Sequence, residues 1–199
     1  ADKTAYADHI APRILSTDKN LDSALTTYQL TASHHSGTMI SYPQVHRTGT
    51  SQEVIYGDFP HELKYDDLYT LTASAVDKAG NAVTRKLVFS VNRYGSVYSF
   101  DPVTQSMRCR YLKKARSVTI TETNVSGLLK NSVRISLAKD STLVTLKASQ
   151  YSLKTSNDKG WSQTTYTLPA SLFSSDGYYR IRLTSLDQAG NLAENTMSN

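Results

Sequence analysis

Alternation of apolar and polar residues is the strongest pattern in the chain. From position 66 the sequence reads DDLYTLTASAVD, and from position 176 it reads DGYYRIRLTSLD, aligned without a gap 110 positions later. Successive side chains of a strand point to opposite faces. Tyr69, Leu71, Ala73 and Ala75 therefore share one side, and Thr70, Thr72 and Ser74 the other. The second copy places Tyr179, Ile181 and Leu183 inward with Arg180 and Arg182 outward. Each copy predicts a half-buried antiparallel strand. Further alternating runs start at Tyr28, Leu87, Ser117 and Val133, and the late run Thr164 to Leu168 reads the same way. Pro12 ahead of Arg13, Ile14 and Leu15 marks the start of a first, edge strand, where a missing N–H costs little.

Both long strands end in the same punctuation, DKAGN at 77–81 and DQAGN at 187–191. Asp77 is expected to accept backbone N–H groups as an Asx-turn, Gly80 to take positive φ, and Asn81 to tolerate the left-handed region. A phosphate loop would open a helix, but Thr and Val follow. A calcium loop would need further oxygen ligands at alternate positions, where Ala82, Val83 and Thr84 stand. The pentapeptide is read as a structural turn between two strands of a hairpin.

Composition supports this reading. Thirteen Tyr and abundant Thr, Val and Ser favour strands, and 39% hydrophobic residues suffice where alternate positions point inward. At 199 residues the chain accommodates two domains of about 100. The expected fold is all-β, two tandem antiparallel sandwiches over 8–94 and 95–199, joined at the polar stretch VNRYGS. Aligning the turns puts Met197 over Leu87, so the second sandwich is expected to have a truncated last strand.

The net charge of +5 comes mostly from scattered residues. The densest group is Arg108, Arg110, Lys113, Lys114 and Arg116, with Tyr111 its single interleaved aromatic. It is read as a solvated stretch at a domain start, an anion-binding patch being the alternative, and no nucleic-acid partner is expected. Cys109 is the only cysteine. It has no candidate disulfide partner in the chain and no evident His partner, so it is read as a partly buried structural cysteine. No apolar run approaches the ~20 residues that cross a bilayer, so no membrane insertion is expected of this segment. Its start, ADKT, is too polar for a signal peptide; the chain reads as a piece of something longer.

An Asp three positions before a Tyr, with an apolar residue two positions after it, resembles the tyrosine corner of immunoglobulin-like domains. Leu71 and Ile181 then stand where antibody domains place their second cysteine. The segment from this corner through D-x-A-G-N into LVFSVNRYG resembles the bacterial immunoglobulin-like domains strung in tandem along surface proteins of Gram-positive bacteria. SVTITETNV (117–125) and GWSQTTYTLPASLFSSDGYY (160–179) read like the same repeats. The antibody cysteine pair is missing, and Trp161 lies just before a late strand instead of on an early one. The resemblance implies a non-catalytic extracellular repeat module at the bacterial cell surface, or secreted. Its role would be stalk, spacer or adhesion segment, with neighbouring Ig-like domains of the same chain as partners and no cofactor. The alternative is a module binding a host protein or glycan, of which an accessory domain of a secreted glycosidase is the enzyme-linked version; Trp161, Tyr151 and Tyr166 on one solvent face would mark a sugar platform.

Candidate chemistry is sparse. On a strand, adjacent His34 and His35 would point apart, and with His46 they lack an evident carboxylate, which makes a poor zinc site. Asp66 and Asp67 would diverge at a strand end instead of pairing for acid/base work. Ser171, Ser174 and Ser175 lack a nucleophile elbow. Nothing in the spacing of Lys86, Asn92 and Glu122 selects an isopeptide triad. No catalytic, cofactor-binding or metal-binding residue is assigned, and ligand-binding residues are left open.

Overall fold

The computed structural model describes residues 2–35 and 43–198. The chain folds as two compact units, Ala1–Tyr94 and Gly95–Asn199.

The first unit contains β1 (Thr4–Tyr6), β2 (Arg13–Thr17), β3 (Thr27–Ala32), β4 (Gln44–Arg47), β5 (Ser51–Ile55), β6 (Asp67–Val76) and β7 (Ala82–Val91). They form one sheet in the order β1-β7-β6-β3 and a second in the order β2-β5-β4. Val54 of β5, Tyr69 and Leu71 of β6, and Phe89 and Val91 of β7 meet in one core, so the sheets pack face to face. Burying each of these side chains stabilises the unit by roughly 1.5–3 kcal/mol. Phe59, Tyr69 and Phe89 sit at its centre, Phe59 edge-on to Tyr69 at 4.6 Å and Tyr69 stacked on Phe89 at 5.8 Å. β2 is an edge strand directly after Pro12, as the sequence predicts.

The second unit contains β8 (Val97–Phe100), helix α1 (Pro102–Met107), β9 (Val118–Asn124), β10 (Arg134–Lys139), β11 (Thr142–Thr145), β12 (Ser152–Asp158), β13 (Trp161–Leu168), β14 (Tyr179–Leu186) and β15 (Leu192–Ser198). Its sheets are β12-β13-β9-β8 and β11-β10-β14-β15. The order β10-β14-β15 repeats β3-β6-β7, and β12-β13-β9 repeats β4-β5-β2. Ile120, Tyr166, Leu168 and Leu183 are completely buried between the sheets. Tyr179, Ile181 and Leu183 point inward and Arg180 and Arg182 outward, in keeping with the period-2 reading.

One pair departs from the antiparallel expectation: β1 runs parallel to β7, with Thr4 opposite Phe89 and Tyr6 opposite Val91. Three residues after Asp2 and Lys3 are too few to show a period, so this strand leaves no sequence pattern. Its counterpart in order, β8, pairs antiparallel with β9 in the opposite sheet. Helix α1 likewise escapes periodicity. Its local signal is Asp-Pro: the Asp101 carboxylate accepts the Thr104 N–H at 3.1 Å, and Pro102 opens the first turn. β15 spans seven residues where β7 spans ten.

Candidate functional site

The repeated punctuation is a turn in both units. The Asp77 carboxylate accepts N–H groups of Ala79 (2.9 Å) and Asn81 (2.8 Å) and the Asn81 side-chain amide (2.7 Å). These bonds, the Asn81 side chain foremost, hold its pKa below the usual carboxylate value. Asp187 repeats the set with Ala189 and Asn191 and also accepts from the buried Asn124 amide at 3.1 Å. Gly80 and Gly190 carry the positive φ, +87° and +91°. Asn81 does not adopt the left-handed conformation the sequence suggests; it serves as a donor instead. The oxygens a cation would need are already occupied by amides.

Both tyrosine corners form. The Tyr69 hydroxyl donates to the Tyr65 carbonyl at 2.8 Å and the Tyr179 hydroxyl to the Ser175 carbonyl at 2.7 Å. Burial, followed by the nearby Asp67 and Asp66 charges, raises the Tyr69 pKa. The two adjacent carboxylates before Tyr69 diverge as expected. Asp66 accepts the backbone N–H groups of Arg93 and Tyr94, whereas Asp67 accepts those of His34 and His35 and the Ser33 hydroxyl.

That arrangement corrects the reading of the histidines. His34 and His35 lie beyond the end of β3, in a bend, so strand alternation does not separate them. Both Nδ1 atoms approach Asp67, at 3.7 and 3.3 Å, and Asp67 is the carboxylate partner that the sequence does not reveal. His46 is exposed on β4 opposite Glu53. Among the described residues no three His, Cys, Asp or Glu side chains converge as metal ligands.

Two further clusters escape sequence reasoning, because their members are far apart in the chain. Arg93, its side chain 4% exposed, donates to Asp58 at 3.0 Å and to the carbonyls of Phe59 and Asp8. Burial alone would raise the Asp58 pKa. The Ile10 N–H, His9 and Arg93 outweigh it and hold the carboxyl at about 2. In the second unit Glu122 is 1% exposed and accepts hydroxyls of Tyr166 (2.6 Å), Tyr98 (3.1 Å) and Ser185. Burial first, then Glu122, raises the Tyr166 pKa. The isopeptide candidates do not come together: Lys86 is exposed on β7, Asn92 is buried in the first unit, and Glu122 faces hydroxyls in the core of the second. Tyr166 is also a core residue, so it cannot join Trp161 and Tyr151 in a solvent-facing sugar platform.

A concave feature lies in the second unit, beneath the basic connection between α1 and β9. It encloses 810 Å³ between this connection and the turn that leads into β14. Arg110, Lys113, Lys114 and Arg116 line one wall, and Ser174, Ser175 and Asp176 the other. Cys109, at φ +56°, stands at its lip and is exposed, not partly buried as the sequence suggests. The sequence singles out these cations, but not the cavity they overhang.

Two face-to-face sheets per unit, a tyrosine corner in each and the shared strand order define an immunoglobulin-like sandwich. The family model described as bacterial Ig-like domain matches residues 14–93, so the first unit is a domain of that kind. No curated protein matches the chain in sequence. Among solved structures, the chain is similar to titin Ig tandem domains at 10% identity and a TM-score of 0.42, covering 98% of this chain and 89% of that one. It is also similar to the ectodomain of mouse nectin-like molecule 4, at 9% identity and 0.41, covering 100% and 66%. For Dpr2 Ig1-Ig2 in complex with DIP-Theta Ig1-Ig3 the values are 7% and 0.44, covering 100% and 61%. The fold assignment rests on strand topology and the family match. Among the described residues no helix is long and apolar enough to cross a membrane.

Proposed function

We propose that the chain is a non-catalytic repeat segment of a larger bacterial surface protein, a connecting or adhesion module exposed outside the cell. One observation carries the reading. The polar side chains most able to do chemistry are buried and engaged in shaping the fold. Asp66 and Asp67 tie loop amides, Asp187 closes a hairpin, and Glu122 gathers three hydroxyls. A catalytic carboxylate or histidine instead needs reach to a substrate held in a cleft. The bacterial Ig-like match supports a module that works beside similar domains of the same chain.

Two measurements test this. An antibody against the chain should label intact, unpermeabilised cells of the bacterium that makes it. The purified chain should leave chromogenic ester, peptide and glycoside substrates untouched. Labelling only after permeabilisation would refute the surface location, and turnover lost on replacing one side chain would refute inertness.

A further inference from the structure

We propose that the cleft of the second unit binds an acidic polypeptide segment carrying one large apolar side chain. Its floor continues the core of the unit through Met107, Val118, Ile181 and Met197, with half-buried Phe173 beside them. At 810 Å³ it falls within the range of small-ligand sites, about 300–1,000 Å³. That volume suits a side chain with its flanking backbone, not a folded domain. An apolar floor gives little to a sugar hydroxyl or a bare anion, which lose hydration there without gaining hydrogen bonds, and it favours an aliphatic or aromatic group.

The rim sets the charge of the partner. Positions 108–116 hold five cations and no acid, and every residue among them is exposed. None of the ion pairs among the described residues uses Arg110, Lys113, Lys114 or Arg116. The facing wall supplies one carboxylate, Asp176. Unneutralised like charges around a concave, partly apolar mouth concentrate positive potential, and an acidic segment relieves it. Tyr111 is fully exposed and Leu112 and Tyr178 are close to half exposed, so apolar contact surface adjoins the cations. Tyrosine and arginine beside an apolar pocket are the composition of protein-binding centres. Single-stranded nucleic acid would want successive stacking aromatics along the groove, where this wall has Tyr111 alone.

The proposal goes beyond the module reading, which needs no ligand and survives if the cleft proves empty. Fluorescence anisotropy tests it on the whole chain with a short Glu/Asp-rich peptide bearing a central Phe, labelled at its end. The comparison probes are the same peptide with Ala in place of Phe, a heparin oligosaccharide and inorganic phosphate. Saturable binding of the Phe peptide is expected, weakening with salt and about tenfold weaker for the Ala peptide. The double variant Lys113→Glu, Lys114→Glu should abolish it with unchanged circular dichroism, while Lys86→Glu in the first unit should leave it unaltered. Hydrogen exchange should slow at 108–116 and 173–178 on binding. Equal affinity for the Phe and Ala peptides, or heparin competing as well as the peptide, would mean a plain anion patch and overturn the proposal. Absent saturation, or binding indifferent to the charge reversal, would overturn it too.

Discussion

Replacing Tyr69 or Tyr179 by Phe deletes one hydroxyl from each tyrosine corner and keeps the ring, so the two units offer the same perturbation in different surroundings. Tyr69 is 1% exposed, and its ring contacts with Phe59 and Phe89 survive the change. The Tyr65 carbonyl loses its donor beside a residue that water barely reaches, which costs about 1.5 kcal/mol. Tyr179 is 9% exposed, and its partner Ser175 sits on an exposed turn where water replaces the lost bond, so about 0.5 kcal/mol is expected. Hydrogen exchange followed by mass spectrometry reads each unit through its own peptides. Protection across β6 should fall about tenfold in Y69F, and across β14 about two- to threefold in Y179F. Equal losses, or the larger loss in Y179F, would show that burial does not set the strength of the corner.

Three other outcomes are expected. Asp58 has its folded pKa, about 2, below the ordinary value of 3.8, so it contributes stability above about pH 4 that is lost as pH falls toward 2. With its side chain 27% exposed, solvent screening reduces the contribution to about 1 kcal/mol, and Asp58→Asn should flatten the acid limb of urea midpoints for the first unit. Asp187→Ala should cost about 2 kcal/mol, because the carboxylate is buried and also holds Asn124; Asp77→Ala in its exposed turn should cost less, by calorimetry of the two variants. Glu122→Ala strands the hydroxyls of buried Tyr166 and Ser185 and of half-buried Tyr98 and leaves a cavity, and a loss of about 3 kcal/mol or more is expected from denaturant titration.

What is legible in the sequence is what repeats locally. The period-2 runs around Tyr69 and Tyr179 locate the two central strands, and the pentapeptides locate the hairpins, because each element's pattern is contained within its own dozen residues. β1 is invisible because three residues carry no period, and α1 because one turn and a half of helix shows a cap but no amphipathic face. The polar clusters are hidden for a different reason. Arg93 reaches Asp58 across 35 positions and Asp67 reaches Ser33 across 34, so their partnership exists only once the strands are paired. The His34–His35 pair misleads because strand alternation stops at the end of β3, where the chain bends. The basic stretch stands out by charge alone; the apolar floor beneath it is completed by Ile181 and Met197, far along the chain.

The parallel strand β1 also decides how the first unit meets tension. Chain enters at the Thr4 end of this ladder and leaves at the Val91 end, with Thr4, Ala5 and Tyr6 set against Phe89, Ser90 and Val91. Pulling the two ends apart slides the strands along each other, so the ladder hydrogen bonds bear load together in shear instead of opening one after another. In the second unit the first and last strands, β8 and β15, belong to different sheets. There the same pull finds no common ladder and loads the β8–β9 and β14–β15 ladders separately, along with the side-chain packing between the sheets. The two sandwiches share most of their strand order, yet the first sets its first and last strands in one ladder and the second does not, so the first is expected to resist stretching better.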